Sequence, residues 1–147
     1  MYIQLVFAVK NRDAVLKEDF RKRVFEYISG IITSLKHKST IINGTSNHIH
    51  ILFGLNPSVS DTVHDIKRSS SLFINNEKLY PYRFSWQEGY GGFTYSRSQI
   101  EDIYNYIENQ ESHHKKRNFR EEYIDILTKN EIEFDEQFLF DFWDDCL

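Results

Sequence analysis

The hydrophobic positions in the first third of the chain predict strands and a helix in turn. Residues 2–9, "YIQLVFAV", form an unbroken apolar and β-branched run, which predicts a strand. Between residue 18 and about residue 36, apolar side chains recur every three or four positions, which predicts an amphipathic helix. Residues 39–45 and 48–55 predict two further strands that form a hairpin around a Ser46-Asn47 turn.

The middle of the chain continues this pattern of helix and strand. A second helix is predicted over residues 60–76, with polar capping residues at its start. The aromatic and β-prone residues 84–96 predict a fourth strand region that is bent by its glycines. Ser98 and Glu101 have the spacing of a capping box, which predicts that a third helix begins there.

Further helices are predicted toward the C-terminus. Residues 119–129 predict one helix, and the acidic, aromatic residues 131–147 predict a last short one. The order β-α-β-β-α-β predicts an α+β fold, a ferredoxin-like sandwich in which helices pack on one face of an antiparallel sheet. We expect residues 1–120 to form this domain and residues 121–147 to form an acidic C-terminal helical extension packed on or beside it.

The composition is that of a single globular domain. At 147 residues, 40% of them hydrophobic, the chain is long enough to bury a substantial core. Its one cysteine, Cys146, argues against a disulfide framework and against a zinc site built from thiolates. No apolar run approaches the length of a membrane span and no signal peptide opens the chain, so we expect a soluble, cytoplasmic protein.

The charge is distributed unevenly along the chain. The net charge is −4, yet residues 1–120 hold 17 Lys and Arg against 12 Asp and Glu, a net charge of +5. Residues 121–147 hold 1 basic and 10 acidic side chains, a net charge of −9. The acidity therefore belongs to the tail, and the mildly basic remainder permits a polyanionic partner without demonstrating one.

The stretch "NHIHILFG", residues 47–54, places two histidines in a predicted core strand. Side chains alternate along a strand, so His48 and His50 share one face, roughly 7 Å apart. Two neutral imidazoles on one face can chelate a divalent cation, but two ligands leave the site incomplete. The alternative is structural, with two polar side chains hydrogen-bonded on a sheet face that a helix covers.

The helix that begins at Ser98 carries two further candidates. Tyr106 and Gln110 lie four positions apart and share a helix face, whereas Tyr104 lies about 200° around the helix from Tyr106. A helix packed over the sheet would bring Tyr106 and Gln110 toward the two histidines. The alternative is an ordinary amphipathic helix whose tyrosine rings pack against the sheet.

Together these motifs resemble the HUH nucleases, whose defining strand carries His-hydrophobe-His. "YIENQ", residues 106–110, looks like the nucleophile helix of their single-tyrosine transposases, found in the smallest bacterial insertion sequences and their REP-associated relatives. The resemblance covers most of residues 1–112 and includes "LVFAVKNR", "IKRSSSLFIN" and "WQEGYGGFTYS" in order. An H-x-H motif is common by itself, but the same motif followed by Tyr-x-x-x-Gln among these segments is specific.

The resemblance implies a metal-dependent transposase that cleaves and rejoins single-stranded DNA at hairpin-bearing element ends. Tyr106 would attack a DNA phosphate, giving a 5′-phosphotyrosine and a free 3′-hydroxyl. His48, His50 and Gln110 would bind the cation. Two imidazoles and an amide, without a carboxylate, suit Mg²⁺ or Mn²⁺ that binds mainly when DNA supplies negative charge. Family members are dimers, so we expect a homodimer whose Tyr106 serves the histidines of its own or of the other subunit.

The resemblance also implies a set of DNA-contacting residues, most of them on a basic, serine-rich helix. The set consists of Lys67, Arg68, Ser69, Ser70 and Arg97. For the helix residues, the alternative is an exposed basic turn without a function in binding.

The chain departs from compact family members because it continues beyond the catalytic helix into the acidic tail, for which the residues indicate no mechanism. Two other functions stay open at this point. One is a catalytically silent nucleic-acid-binding module on the same fold. The other is a metal-binding α+β protein unrelated to DNA.

Overall fold

The structure is a computed structural model that describes residues 2–10, 16–35, 38–54, 59–133 and 139–140. Its strands are β1 Tyr2–Ala8, β2 Lys38–Gly44, β3 His48–Gly54 and β4 Gly91–Tyr95. Its helices are α1 Glu18–Ser34, α2 Val59–Asn76, α3 Ile100–Glu108, α4 Gln110–Lys116 and α5 Phe119–Lys129. None of the helices within these ranges is long and apolar enough to cross a membrane.

The four strands form one antiparallel sheet in the order β2-β3-β1-β4. With the intervening helices α1 and α2, this order confirms the α+β, ferredoxin-like fold class. The long apolar run of β1 explains its central position, because a strand paired on both sides and covered on both faces needs few polar side chains. In this register Val6 lies opposite His50 and Ala8 lies opposite His48.

One face of the sheet carries an apolar core beneath α1 and α2. Phe7, Ile49 and Ile51 are fully buried on this face, as the strand alternation predicts. The ring of Phe7 meets the edge of Trp86 with centroids 4.8 Å apart, and the Lys67 ammonium of α2 lies 5.3 Å from the Phe7 centroid. This face therefore shows the arrangement expected of a ferredoxin-like sandwich.

The opposite face, which carries the two histidines, is covered by the later helices. Asn43 on β2 ties α3 to the sheet, because its side-chain amide donates to the carbonyl oxygens of Ile107 and Glu108, both at 3.1 Å. Helix α5 buries Phe119 and Tyr123 within the hydrophobic core. The chain beyond the second helix thus adds a second helical layer to the sandwich.

The aromatic segment predicted over residues 84–96 forms a strand only at Gly91–Tyr95 and an isolated bridge between Trp86 and Val9. Gly91 is required by packing, since a Cβ there would lie 2.6 Å from the Tyr123 hydroxyl of α5. The strand is therefore built to accept α5 against it.

The start of the third helix also differs from the expected capping box. A short 3-10 turn at Arg97–Gln99 precedes α3, and the Gln99 side chain accepts from the Ser96 backbone N–H at 3.0 Å. The cap therefore uses Ser96 and Gln99, two residues before Ser98 and Glu101, because the 3-10 turn moves the beginning of the helix.

Helix α5 has the predicted bounds and crosses the expected boundary at residue 120. The last helix expected in residues 131–147 lies largely outside the described residues.

Candidate metal centre and nucleophile

His48 is held at the start of β3 by neighbours from the hairpin turn. Its Nδ1 lies 2.8 Å from Asn47 Oδ1 and 3.1 Å from the Thr45 hydroxyl, which itself donates to Asn47 Oδ1 at 3.0 Å. Because Asn47 Oδ1 can only accept, it favours the tautomer of His48 that carries the proton on Nδ1. Its Nε2 faces the layer between the sheet and the helices, where Gln110 and Glu122 lie.

His50 is oriented from within the sheet. The Gln4 side chain on β1 donates from Nε2 to His50 Nδ1 at 2.8 Å, and the Tyr95 hydroxyl on β4 donates to Gln4 Oε1 at 2.8 Å. A row of hydrogen bonds therefore runs across three strands and fixes the plane of the imidazole.

Two side chains from the helical layer meet the histidines. Gln110 Oε1 lies 3.2 Å from His48 Nε2, and Gln110 Nε2 donates to Glu122 Oε1 at 3.1 Å. Glu122 Oε1 lies 2.7 Å from His50 Nε2, while Glu122 Oε2 lies 3.7 Å from His48 Nε2. All four side chains are fully buried.

Helix α5 covers this cluster on the side away from the sheet. The Phe119 ring stacks on the His48 imidazole with centroids 4.0 Å apart and planes inclined by 11°. Phe119 is buried and belongs to the hydrophobic core. The structural alternative considered for the histidines, polar residues hydrogen-bonded under a helix, therefore describes their environment, and it is compatible with a metal centre.

The cluster has the donor atoms and spacing of a divalent cation site. One ligand atom each from His48, His50 and Glu122 lies within 4.8 Å of the others. His50 Nε2 faces Glu122 Oε1 at 2.7 Å, whereas Glu122 Oε2 is buried without a hydrogen-bond partner, which is uncommon for a polar atom in a protein interior. Imidazole nitrogens and a carboxylate are common ligands of divalent metals, so the residues present fit such an ion.

Glu122 is ionised in this environment. Burial alone would raise the pKa of its carboxyl, but polar contacts with His48 and His50 and their positive charge outweigh burial and hold the pKa well below its usual range. A buried carboxylate needs a cationic partner, which protonated histidines or a metal ion can supply.

Tyr106 lies at the edge of the same cluster. Its ring centroid is 6.1 Å from that of His50, and its hydroxyl accepts a hydrogen bond from Arg117 Nη2 at 3.2 Å. Burial raises the pKa of the Tyr106 hydroxyl, and the charge of Glu122 raises it further, whereas Arg117 acts in the opposite direction.

The half-buried Tyr106 also lines a cavity of about 350 Å³ together with Arg117, Lys129 and Gln4. Tyr104, in contrast, points into solvent.

The residues expected to contact DNA lie elsewhere. Lys67, Arg68, Ser69 and Ser70 are on α2, against the sheet face opposite the histidines. Lys67 donates to the carbonyl oxygens of Gln87 and Gly89, and Arg68 is exposed.

Ser70 and Arg97 differ in their access to a ligand. Ser70 is fully buried, donates to Ile66 O at 2.6 Å and accepts from Trp86 Nε1 at 3.0 Å, so its place in the structure is an interior one. Arg97 is exposed in the turn before α3. Ser70 therefore lies in the protein interior and Arg97 on the surface.

Two residues of this site, Glu122 and Arg117, were not predicted from the sequence, and both lie beyond the predicted catalytic helix. A signal for Glu122 was available, because it falls in the apolar stripe formed by Phe119, Tyr123 and Ile126 at positions i, i+4 and i+7. A glutamate inside such a stripe is a buried charge that needs a partner.

Comparison with known proteins gives a family and a fold. The family model described as "Transposase IS200 like" matches residues 1–110. A candidate transposase from Deinococcus radiodurans R1 is similar in structure, with a TM-score of 0.57, 23% identity, and coverage of 75% of this chain and 90% of that one. A REP-associated tyrosine transposase bound to a REP hairpin has a TM-score of 0.56 and 14% identity, over 74% of this chain and 64% of that one. No curated protein matches the chain.

Proposed function

The chain belongs to the IS200-like transposase family and is an enzyme of the transposase class, and from this premise we propose that it cleaves and rejoins single-stranded DNA through Tyr106. The observation that carries the proposal is the position of Tyr106, beside His50 and in the same subunit as His48 and Gln110. In the proposed enzyme, the nucleophile and the cation site therefore belong to one chain.

The proposed reaction exchanges one phosphodiester for another. Tyr106 Oη attacks the phosphorus, the bond from phosphorus to the 3′-oxygen breaks, and a 5′-phosphotyrosine forms. The proton lost by the phenol is balanced by the proton gained by the leaving 3′-oxygen. Attack by a 3′-hydroxyl on the phosphotyrosine reverses the step and rejoins the strand without ATP.

Arg117 supports both directions of this exchange. Its guanidinium donates to Tyr106 Oη, so it stabilises negative charge on that oxygen as the phenol loses its proton and again when the phenolate leaves. This contact matters because burial makes the charged form of Tyr106 costly.

We propose that His48, His50 and Gln110 hold a divalent cation, Mg²⁺ or Mn²⁺. A bound cation would polarise the scissile phosphate and stabilise the charge that develops on it. The chain's own contribution is to fix the imidazoles, by Asn47 for His48 and by Gln4 for His50.

The proposed substrate is single-stranded DNA that carries a hairpin near the cleavage site. The hairpin in the similar REP-associated transposase supports this choice. Contacts to phosphate are assigned to Lys67, Arg68, Ser69 and Arg97. We propose a cytoplasmic homodimer in which each Tyr106 serves the histidines of its own subunit.

A second candidate is a hairpin-binding module that no longer cleaves. It is favoured by the complete burial of His48, His50 and Gln110 beneath α5, which separates them from solvent and from any bound strand. In this alternative the cluster would only stabilise the fold.

The test is a labelled-strand gel with DNA that flanks the gene, supplied as an imperfect hairpin and as a full duplex, in Mn²⁺. We expect covalent protein–DNA adduct from one strand of the hairpin and none from the duplex. Equal cleavage of both forms would contradict the single-strand proposal. Binding of the hairpin without cleavage of either form would favour the silent module.

A further inference from the structure

The cation site of the proposed function receives a side chain from outside the region that matches the family. The match ends at residue 110, whereas Glu122 lies on α5. Its carboxylate nevertheless reaches the centre of the cluster and contacts both histidines, at 2.7 and 3.7 Å. The cluster therefore combines side chains of the family core with one from the extension.

Hydrogen-bond directions show that acceptor atoms converge in the cluster. The Glu122 carboxylate can only accept, so the Gln110 amide directs its NH₂ group to Glu122 and its carbonyl oxygen to His48 Nε2. His48 Nε2 lies 3.2 Å from Gln110 Oε1 and 3.7 Å from Glu122 Oε2, and both of these oxygens can only accept. Two acceptor oxygens, Gln110 Oε1 and Glu122 Oε2, thus face the same imidazole nitrogen, so the centre of the cluster is suited to a positive charge.

The other carboxylates at this end of α5 are already accounted for. Asp125 pairs with Arg117 at 3.0 Å and with Lys129 at 2.9 Å, and Glu121 is exposed. Glu122 is fully buried, and its Oε2 has no hydrogen-bond partner. Its cationic partner must therefore be found within the cluster.

We propose that Glu122 is a protein ligand of the divalent cation, completing a set formed with His48, His50 and Gln110. This inference rests on the proposed function, from which it takes the cation. A carboxylate adds the negative charge that two imidazoles and an amide lack. The consequence is that the protein binds the cation before DNA arrives, rather than only when a phosphate supplies the charge.

The test is Mn²⁺ binding to the full chain without DNA, followed by the decrease of the free Mn²⁺ signal in electron paramagnetic resonance. Loss of a residue that merely orients a metal ligand weakens binding by roughly 10–100-fold, so Glu122→Gln, which loses a charged ligand, should weaken it by at least about tenfold. The matched control is Glu121→Gln, which removes the same charge one residue away on the exposed side of α5. It should leave the affinity within about twofold of the wild type.

A second measurement uses the unmodified sequence and does not depend on a variant that folds. In protein with ¹³C-labelled glutamate, substoichiometric Mn²⁺ should broaden the Glu122 carboxyl signal before that of Glu121. Unchanged Mn²⁺ affinity in Glu122→Gln, with faster adduct formation, would overturn the proposal and make Glu122 an obstacle in the DNA site. Unchanged Mn²⁺ affinity in Glu122→Gln together with loss of the adduct would also overturn the proposal. Glu122 would then act on the nucleophile Tyr106 and not on the cation.

The two proposals fail in different ways. If Tyr106 forms no adduct with any DNA but Glu122→Gln still loses Mn²⁺, the proposed function fails while the Glu122 ligand stands. If the adduct forms in Mn²⁺ and the Glu122→Gln affinity is unchanged, the function stands and the ligand assignment fails.

Discussion

The two faces of the sheet have opposite chemistry. One face packs Phe7, Ile49 and Ile51 under α1 and α2 and is apolar. The other face carries His48 and His50 on the same strand, equally buried, beneath α3, α4 and α5. Burial alone does not distinguish the two faces, since both exclude water from β3.

The difference lies in what satisfies the buried atoms. Apolar side chains need only close packing, whereas each polar atom needs a partner of the opposite kind. On the histidine face those partners come from distant parts of the chain, such as Gln4 and Gln110, and one atom, Glu122 Oε2, has none. The apolar face should therefore contribute to stability alone, whereas the histidine face should contribute to both stability and chemistry.

The largest expected effect is on the histidine face, at the nucleophile. Tyr106→Phe should remove the covalent protein–DNA adduct completely while fold and hairpin binding persist, because the change deletes only a hydroxyl. The assay is a denaturing gel that detects the adduct. Tyr104→Phe is the control, since Tyr104 lies on the exposed side of the same helix. An adduct that survives in Tyr106→Phe and is absent from Tyr104→Phe would move the nucleophile to Tyr104.

The next effect links stability and chemistry on the same face. His50→Ala should abolish metal-dependent cleavage and also reduce the free energy of unfolding by about 3–5 kcal/mol, because it leaves the Glu122 carboxylate buried without its 2.7 Å partner. In the double variant His50→Ala/Glu122→Gln, stability should recover but cleavage should not. Denaturant unfolding and the adduct gel measure the two quantities. Cleavage in excess chelator at the wild-type rate would contradict the metal part of this prediction.

A change on the apolar face should reduce stability without changing Mn²⁺ binding. Ile51→Ala should reduce the free energy of unfolding by about 2–5 kcal/mol, since Ile51 is fully buried in the core. Mn²⁺ affinity should stay close to wild type in conditions where the variant is folded. A loss of Mn²⁺ affinity comparable to that of Glu122→Gln would show that the two faces are not separable.

The smallest expected effect concerns Lys67, whose ammonium lies beside the apolar face. Among the described lysines, Lys67 is the one whose pKa is clearly lowered. Burial lowers the pKa of Lys67 from 10.5 to about 8, and the charge of Glu88 opposes the shift. Between pH 8 and pH 10.5 the unfolded chain binds more protons at this position, so the stability of wild type relative to Lys67→Met should rise with pH in that window. Denaturant unfolding at pH 7 and pH 10 measures it. A relative stability that falls over this range would contradict the assignment.

The elements were predictable because their signals are local. The alternation at residues 48–54 and the helical spacing at 119–129 depend on neighbours in sequence, and both elements form with nearly the expected bounds. The spacing of Tyr106 and Gln110 predicted a shared face of one helix, but α3 ends before Asn109 and Gln110 begins α4, so the two residues lie on consecutive helices.

The composition of the cluster was harder to predict because it depends on packing between distant segments. Glu122 lies in an acidic segment, where a carboxylate is ordinarily exposed, and only the docking of α5 on the histidine face makes it a central residue. Arg117 likewise acquires its relation to Tyr106 from the turn between α4 and α5. A one-dimensional pattern contains the apolar stripe but not the surface against which it packs.

The amide of Gln4 determines which atoms donate and which accept in the hydrogen bonds around His50. With Nε2 of Gln4 donating to His50 Nδ1, the proton of a neutral imidazole must sit on Nε2, the atom that faces Glu122. For His50 Nε2 to bind a cation, the proton would have to move to Nδ1, and the Gln4 amide would have to rotate half a turn so that its oxygen accepts. Tyr95, which now donates to Gln4, would become the acceptor. Tyr95 and Tyr106 line the same cavity, so a rotation of the Gln4 amide would change a hydrogen bond at the wall of that cavity.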